Sequence, residues 1–161
     1  MLSDDLLKQA DHLATKEPRR PLQASVRRSV STSYYALFHA LSLEFTEIYP
    51  KEALAETCRM LDHGTAKAAA SDIKRLENAV LLGCAISADL TTIASDFLQL
   101  QQLRHEADYD LTRTFSRREA LECVERAKRS IGLITKLKRD DPRRLRALVL
   151  AFVLKPRCKA R

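Results

Sequence analysis

Glycine is scarce in this chain, with three in 161 residues beside five prolines. An all-β fold needs turn residues at every strand connection, so this scarcity excludes a turn-rich sheet protein. Long apolar runs are missing as well: none reaches the ~18 residues that a membrane-spanning helix requires. The opening MLSDDLLKQADHL is acidic and amphipathic, unlike a secretory signal or a transit peptide, and a cytoplasmic location is expected. Cysteine is limited to Cys58, Cys84, Cys123 and Cys158, separated by 26, 39 and 35 residues. They form no Cys-x-x-Cys pair, and no histidine stands at ligand spacing from any of them, so we expect reduced thiols in apolar surroundings, no metal site and no cofactor. What is present suffices for a globular domain, because 45 % of the residues are hydrophobic and 30 % charged. At this length one domain is expected.

Charge is unevenly placed. The net charge is +7, yet residues 136–161 alone hold ten Lys/Arg against two acids, an excess of +8, and the remainder is close to neutral. This divides the chain into a helical body, 1–138, and a basic C-terminal tail, 139–161. Such a tail attracts phosphate backbones or an anionic surface, or simply keeps the protein soluble. Within it, Leu145, Leu148, Val149 and Phe152 recur at helical spacing and predict a short docking helix.

Periodicity predicts an all-α fold, an antiparallel up-and-down bundle of about five helices plus the short tail helix. Helices are expected over 2–16, with Leu2, Leu6, Ala10 and Leu13 on one line, and over about 22–47, with Val26, Val30, Tyr34, Leu37, Leu41 and Phe45 as its apolar stripe. A short helix over 52–61 should close at Gly64 in a left-handed cap, and Thr65 should cap a segment reaching Leu82. Gly83 to Ser87 reads as a turn, 88–111 as a long helix, and Ser116 with Glu119 as a capping box for a helix to about 138. Asp140-Asp141-Pro142 ends that helix.

Two helices carry polar groups that packing alone would not select. On the second, Arg28, Thr32, Tyr35, His39 and Ser42 follow one another at spacings of three and four, beside the apolar stripe. On the helix from Ala88, the core phase runs Leu90, Ile93, Phe97, Leu100, then Arg104, Ala107 and Leu111. An arginine on that phase needs a partner. Asp108, four residues on, reaches it along the same face. Two readings stay open: an internal Arg–Asp staple between helices, or a polar cleft in which Arg104 binds phosphate bidentately. His105 and Tyr109 form a second i, i+4 pair one step around the cylinder.

The segment Ser31-x-x-Tyr34-Tyr35-Ala36-x-Phe38-His39, followed about 70 residues later by Arg104-x-x-Ala107-Asp108-Tyr109, resembles the paired motifs of the HEPN superfamily (higher eukaryotes and prokaryotes nucleotide-binding). The resemblance extends over roughly residues 4–138. It implies a helical bundle that homodimerises through the motif face, and a role in a toxin–antitoxin pair with a nucleotidyltransferase-like antitoxin partner. It also implies RNA or nucleotide as ligand, with Arg28, Ser31, Tyr34, Tyr35, His39, Asp108 and Tyr109 lining a ligand or interface cleft. In nuclease members of the superfamily, an arginine and a histidine four to six residues later form a metal-independent catalytic pair. Here Arg104 fits, but Asp108, Tyr109 and Asp110 occupy the histidine positions, and the adjacent His105 points about 100° away around the helix. Tyrosine, titrating near 10, is a poor substitute for imidazole as acid or base at neutral pH. A binding module is therefore the preferred expectation. The alternative is an RNase in which Arg104 works with a displaced histidine, His105 or His39.

Overall fold

Apolar side chains at i, i+3 and i+4 leave a helix with one face that must be covered, and coverage by other helices organises this chain. The computed structural model describes residues 1–48, 62–75, 80–81 and 83–153. They form an all-α helical bundle ending in a short helix: α1 (Leu2–Thr15), α2 (Gln23–Thr46), α3 (His63–Arg75), α4 (Ala88–Tyr109), α5 (Arg117–Asp140) and α6 (Pro142–Val153). A two-residue antiparallel pair, β1 (Val80–Leu81) and β2 (Cys84–Ala85), joins α3 to α4. The expected helix over 52–61, Cys58 and Cys158 lie outside the described residues.

The chain divides into two compact units, Met1–Ala40 with Gln99–Gly132, and Leu41–Leu98 with Leu133–Arg161. In the first, the expected α2 stripe is buried, with Val26, Val30, Tyr34 and Leu37 wholly covered. The α1 face differs from the expected one: Leu2 is exposed, and the buried side chains are Ser3, Ala10 and Ala14. Small residues let the backbones approach, and the Ser29 hydroxyl on α2 donates to the Ala10 carbonyl at 2.7 Å. The Glu17 carboxylate accepts from the Leu22 amide (3.3 Å) and from the Ser25 hydroxyl (2.7 Å), fixing the start of α2 after the proline-flanked link. At α5 the capping box forms as expected. The Glu119 amide donates to the Ser116 hydroxyl at 3.2 Å, and the Ser116 amide donates to the Glu119 carboxylate at 2.8 Å. These bonds, backbone first, hold the Glu119 carboxyl below its ordinary range.

In the second unit two local expectations are corrected. Gly64 is not a left-handed cap but lies in the first turn of α3. Asp62 caps that helix in place of Thr65, its carboxylate accepting from the Gly64 and Thr65 amides at 2.8 and 3.2 Å. An aspartate accepts readily from the orphan amides of a helix's first turn, and Gly64 supplies one of those amides here. The segment expected to stay helical to Leu82 instead ends α3 at Arg75 and enters the hairpin. There Leu81 pairs with Cys84, and Gly83 adopts φ 80°, a backbone conformation that glycine reaches without steric cost.

The basic tail is also more than a docking appendage. Asp141 alone separates α5 from α6, and its carboxylate accepts from the Arg144 amide at 3.1 Å, with Pro142 in the first helical position. Leu145, Leu148, Val149 and Phe152 are buried; α6 packs on α3, and the Phe152 ring lies 5.2 Å from that of Phe97. The charge-based boundary at 138/139 thus falls inside the second unit. Lys138 spans Glu44 and Glu47 at 3.1 and 2.7 Å, and Lys136 meets Asp89 at 3.0 Å. Leu148 is fully buried, so Leu148→Ala should cost about 3 kcal/mol. A chain stopped after Lys138 loses the whole apolar face of α6, and its thermal melt should lose cooperativity; a melt matching that of the full chain would place α6 outside the core.

Candidate functional site

Ser31 and Tyr35 stand one turn apart on α2, and Arg104 and Asp108 one turn apart on α4, all four within the first unit. They meet in a closed arrangement. The Arg104 Nη2 donates to the Tyr35 hydroxyl at 2.7 Å, and the Arg104 Nε lies 2.8 Å from Asp108 Oδ2. The Ser31 hydroxyl donates to Asp108 Oδ1 at 2.5 Å. The Arg104 Nε–H is not aimed at the carboxylate, so that contact is a close ion pair rather than a directed hydrogen bond. The guanidinium lies 5.4 Å from the Tyr35 ring centre and 5.6 Å from that of Tyr109, which adds cation–π attraction on two sides.

The electrostatic balance follows from these contacts. Burial, the largest influence, opposes the charge on Arg104. The hydrogen bond to Tyr35 and the fields of Tyr35, Asp108 and Tyr109 together outweigh it, and the guanidinium is held above its ordinary value. The side chains of Arg104 and Asp108 are 18 % and 25 % exposed, so this pair stands between a surface bridge and a buried one. The staple of the two sequence readings is therefore built. It leaves donors over: the Arg104 Nη1 has no hydrogen-bond partner among the described residues and is not sealed from solvent.

The other expected residues divide around this centre. Tyr34 is wholly buried, its ring edge-on to Tyr35 at 5.5 Å, and serves the core rather than a cleft. Arg28 is exposed and makes no hydrogen bond or ion pair among the described residues. Tyr109 is 63 % exposed, and its ring lies 5.0 Å from that of the exposed His105. His39 is half-buried beside Phe38, with ring centres 6.0 Å apart, and desolvation lowers its pKa below 6.5. Neither His39 nor His105 hydrogen-bonds Arg104. Leu111, assigned to the core phase by spacing, lies past the end of α4 and is 90 % exposed. Among the described residues, no group of three or more His, Cys, Asp or Glu side chains is arranged to hold a metal ion. The Cys123 thiol is pushed up to about 12 by burial, which keeps it from acting as a thiolate.

Two residues that sequence reasoning passed over fix the end of α4. Arg27 donates to the carbonyls of Ala107 and Asp110, each at 2.8 Å, and to that of Arg113. Those carbonyls lack helical partners, and a cation at a helix C-terminus is favoured by the macrodipole. Gln23 pairs with both backbone groups of Phe115, at 2.8 and 2.9 Å. The turn after Tyr109 is thereby tied to α2. An arginine one position before Arg28 gives no sequence signal for this role, because its acceptors lie 80 to 86 residues away.

No family model matches the chain, and no curated protein or solved structure matches it significantly. The HEPN resemblance rests on its motif residues.

Replacing Asp108 by Asn leaves the Arg104 charge without its partner and should cost about 2 kcal/mol, between the surface and buried limits. Tyr35→Phe should cost about 1 kcal/mol, the usual worth of one hydrogen bond. Denaturant melts of Arg104→Ala, Asp108→Asn and the double variant measure the coupling, and strict additivity would refute the staple. For His39, the depressed folded pKa means that the unfolded chain takes up a proton near pH 6.5 before the folded chain does. Stability should therefore be steady above that range and fall as the pH drops through it. His39→Gln should flatten the dependence in melts between pH 7.5 and 5.5.

Proposed function

We propose that the first unit is a HEPN-type binding module whose ligand is a nucleotide or RNA phosphate and which acts as one component of a toxin–antitoxin pair. The observation that carries this reading is the state of Arg104. Its guanidinium is immobilised by Tyr35 and Asp108, yet Nη1 keeps unused donors, which is the preorganisation that bidentate capture of a phosphate oxygen needs. The Asp108 carboxylate repels an anion, so phosphate approaches Arg104 from its Nη1 side. The exposed rings of Tyr109 and His105 continue that surface and suit stacking on a base. A homodimer through the α2 and α4 motif faces and a nucleotidyltransferase-like antitoxin partner belong to the same reading, through the motif resemblance alone.

A second reading, a metal-independent RNase, is favoured by one observation. The exposed His105 ring adjoins Tyr109, and the Tyr109 ring adjoins Arg104. An imidazole there is positioned for acid–base work beside a phosphate held by Arg104. Binding is preferred because neither histidine is hydrogen-bonded to Arg104.

Nucleotide and short-RNA titrations of the purified protein test both readings. Arg104→Ala should weaken binding about 10- to 100-fold, the scale of a hydrogen bond to a charged group. Arg104→Lys keeps the charge but not the planar fork, and it should also weaken binding while melting near the parent temperature. Metal-free RNA cleavage that His105→Ala abolishes would establish the second reading, and the absence of any nucleotide or RNA binding dependent on Arg104 would defeat both.

A further inference from the structure

We infer that a cavity of about 230 Å³ at the end of α2 binds a free aliphatic α-amino acid, with separate walls for its ammonium, its carboxylate and its side chain. Every residue involved belongs to the second unit, so this does not rest on the Arg104 reading.

The walls come from three helix ends. α2 and the turn after it supply Glu44, Glu47 and Ile48, at i, i+3 and i+4 on one side. The last turn of α5 brings Lys138, and the first turns of α6 bring Leu145, Arg146 and Val149. Leu145 and Val149 are buried and give the cavity an aliphatic wall, to which Ile48 adds.

The charges around this space do not cancel in place. Lys138 serves two carboxylates at once, at 3.1 Å from Glu44 and 2.7 Å from Glu47, which leaves the glutamates one negative charge in excess. Both stand at the end of α2, where the macrodipole disfavours anions, and the last turn of that helix holds no basic residue. The Glu44 side chain is only 12 % exposed, and burial raises its carboxyl above the ordinary range. Carboxylates so placed gain from a second cation. Arg146 does not supply it: exposed on α6, its guanidinium makes no hydrogen bond or ion pair among the described residues. One small space therefore holds an anionic wall that lacks a cation, a guanidinium that lacks an anion, and an aliphatic surface beside them.

An α-amino acid carries that whole complement around a single carbon. Its ammonium donates to the glutamate oxygens that Lys138 does not hold, its carboxylate accepts from the planar fork of Arg146, and its side chain covers Ile48, Leu145 and Val149. A simple carboxylic acid would meet Arg146 but be repelled by the glutamates, and a simple amine would leave Arg146 unmet. The volume is below the ~300 to 1,000 Å³ of sites for drug-sized ligands, which excludes a nucleotide.

An NMR titration of the methyl-labelled full chain with L-leucine tests the cavity. The methyl signals of Ile48, Leu145 and Val149 should shift with a Kd on the order of 100 μM, a moderate efficiency for so small a ligand. Leucinamide lacks the carboxylate and isocaproate lacks the ammonium, and each should bind at least about 10-fold more weakly, the scale of one hydrogen bond to a charged group. Arg146→Gln should weaken leucine by about that factor and leave leucinamide unchanged. Glu47→Gln should weaken leucine and leucinamide and leave isocaproate no weaker. If Glu47→Gln melts early, Arg146→Gln alone still separates leucine from leucinamide. The inference is overturned if these methyl signals stay in place at about 10 mM leucine, some 100-fold above the expected Kd. It is equally overturned by leucine affinity that ignores both substitutions, by leucinamide or isocaproate binding as tightly as leucine, or by AMP displacing leucine from these methyls.

Discussion

A guanidinium on the buried phase of a helix is unfavourable until its charge and its donors are met, and Arg104 imposes that condition on the first unit. Its partners come from two helices. Asp108 arrives through helical geometry alone, four residues on, but Tyr35 and Ser31 reach the pair only because α2 lies against α4 in one register. A one-residue rotation of either helix would separate the tyrosine from the guanidinium and the serine from the carboxylate. The polar square thus selects a single packing in a core whose other members are largely small or aliphatic, a role in which buried polar groups contribute specificity more than stability.

The loop after α4 obeys the same logic at lower cost. Helix ends present carbonyls without partners, and Arg27 and Gln23 supply donors from α2 to Ala107, Asp110 and Phe115. Arg113 adds ion pairs with Glu106 and Glu119 and lies over the Phe115 ring. Tyr109 and His105 consequently sit on a surface whose backbone is fixed, while their own rings stay open to solvent. Rigid support beneath exposed rings is what a binding face requires, and it connects the packing of α2 with the proposed ligand chemistry.

In the second unit, the balance between apolar and basic character within one short helix has a different outcome. Segment 139–161 reads as a tail by charge, yet within it Leu145, Leu148 and Phe152 are as deeply buried as the core residues of the long helices. The two properties occupy opposite sides of α6, so the helix belongs to the fold and still presents cations outward. Charge excess along a sequence cannot separate these cases, because it counts residues without their partners, and four of the basic residues from 136 to 144 are neutralised by acids next to them in space.

Much of this was legible in the residues alone. The α2 stripe from Val26 to Phe45, the capping box at Ser116 and Glu119, and the all-helical class follow from local periodicity and local hydrogen bonding, which act over a few residues and need no partner. The pairing of Arg104 with Asp108 was legible for the same reason. Tertiary structure decided the rest. Tyr34 and Tyr35 are adjacent and chemically alike, but one is sealed in the core and the other holds Arg104, because neighbours on a helix point 100° apart and only the facing helix determines which is covered. Arg27 rather than Arg28 became the residue that ties the helices together, its acceptors lying 80 to 86 residues away. Asp62 rather than Thr65 caps the helix that holds Gly64, and the segment before Gly83 turned into a hairpin. Local propensity sets what each segment can form; which side chains meet is settled by contacts between segments distant in the chain, and those distances are not written in spacing.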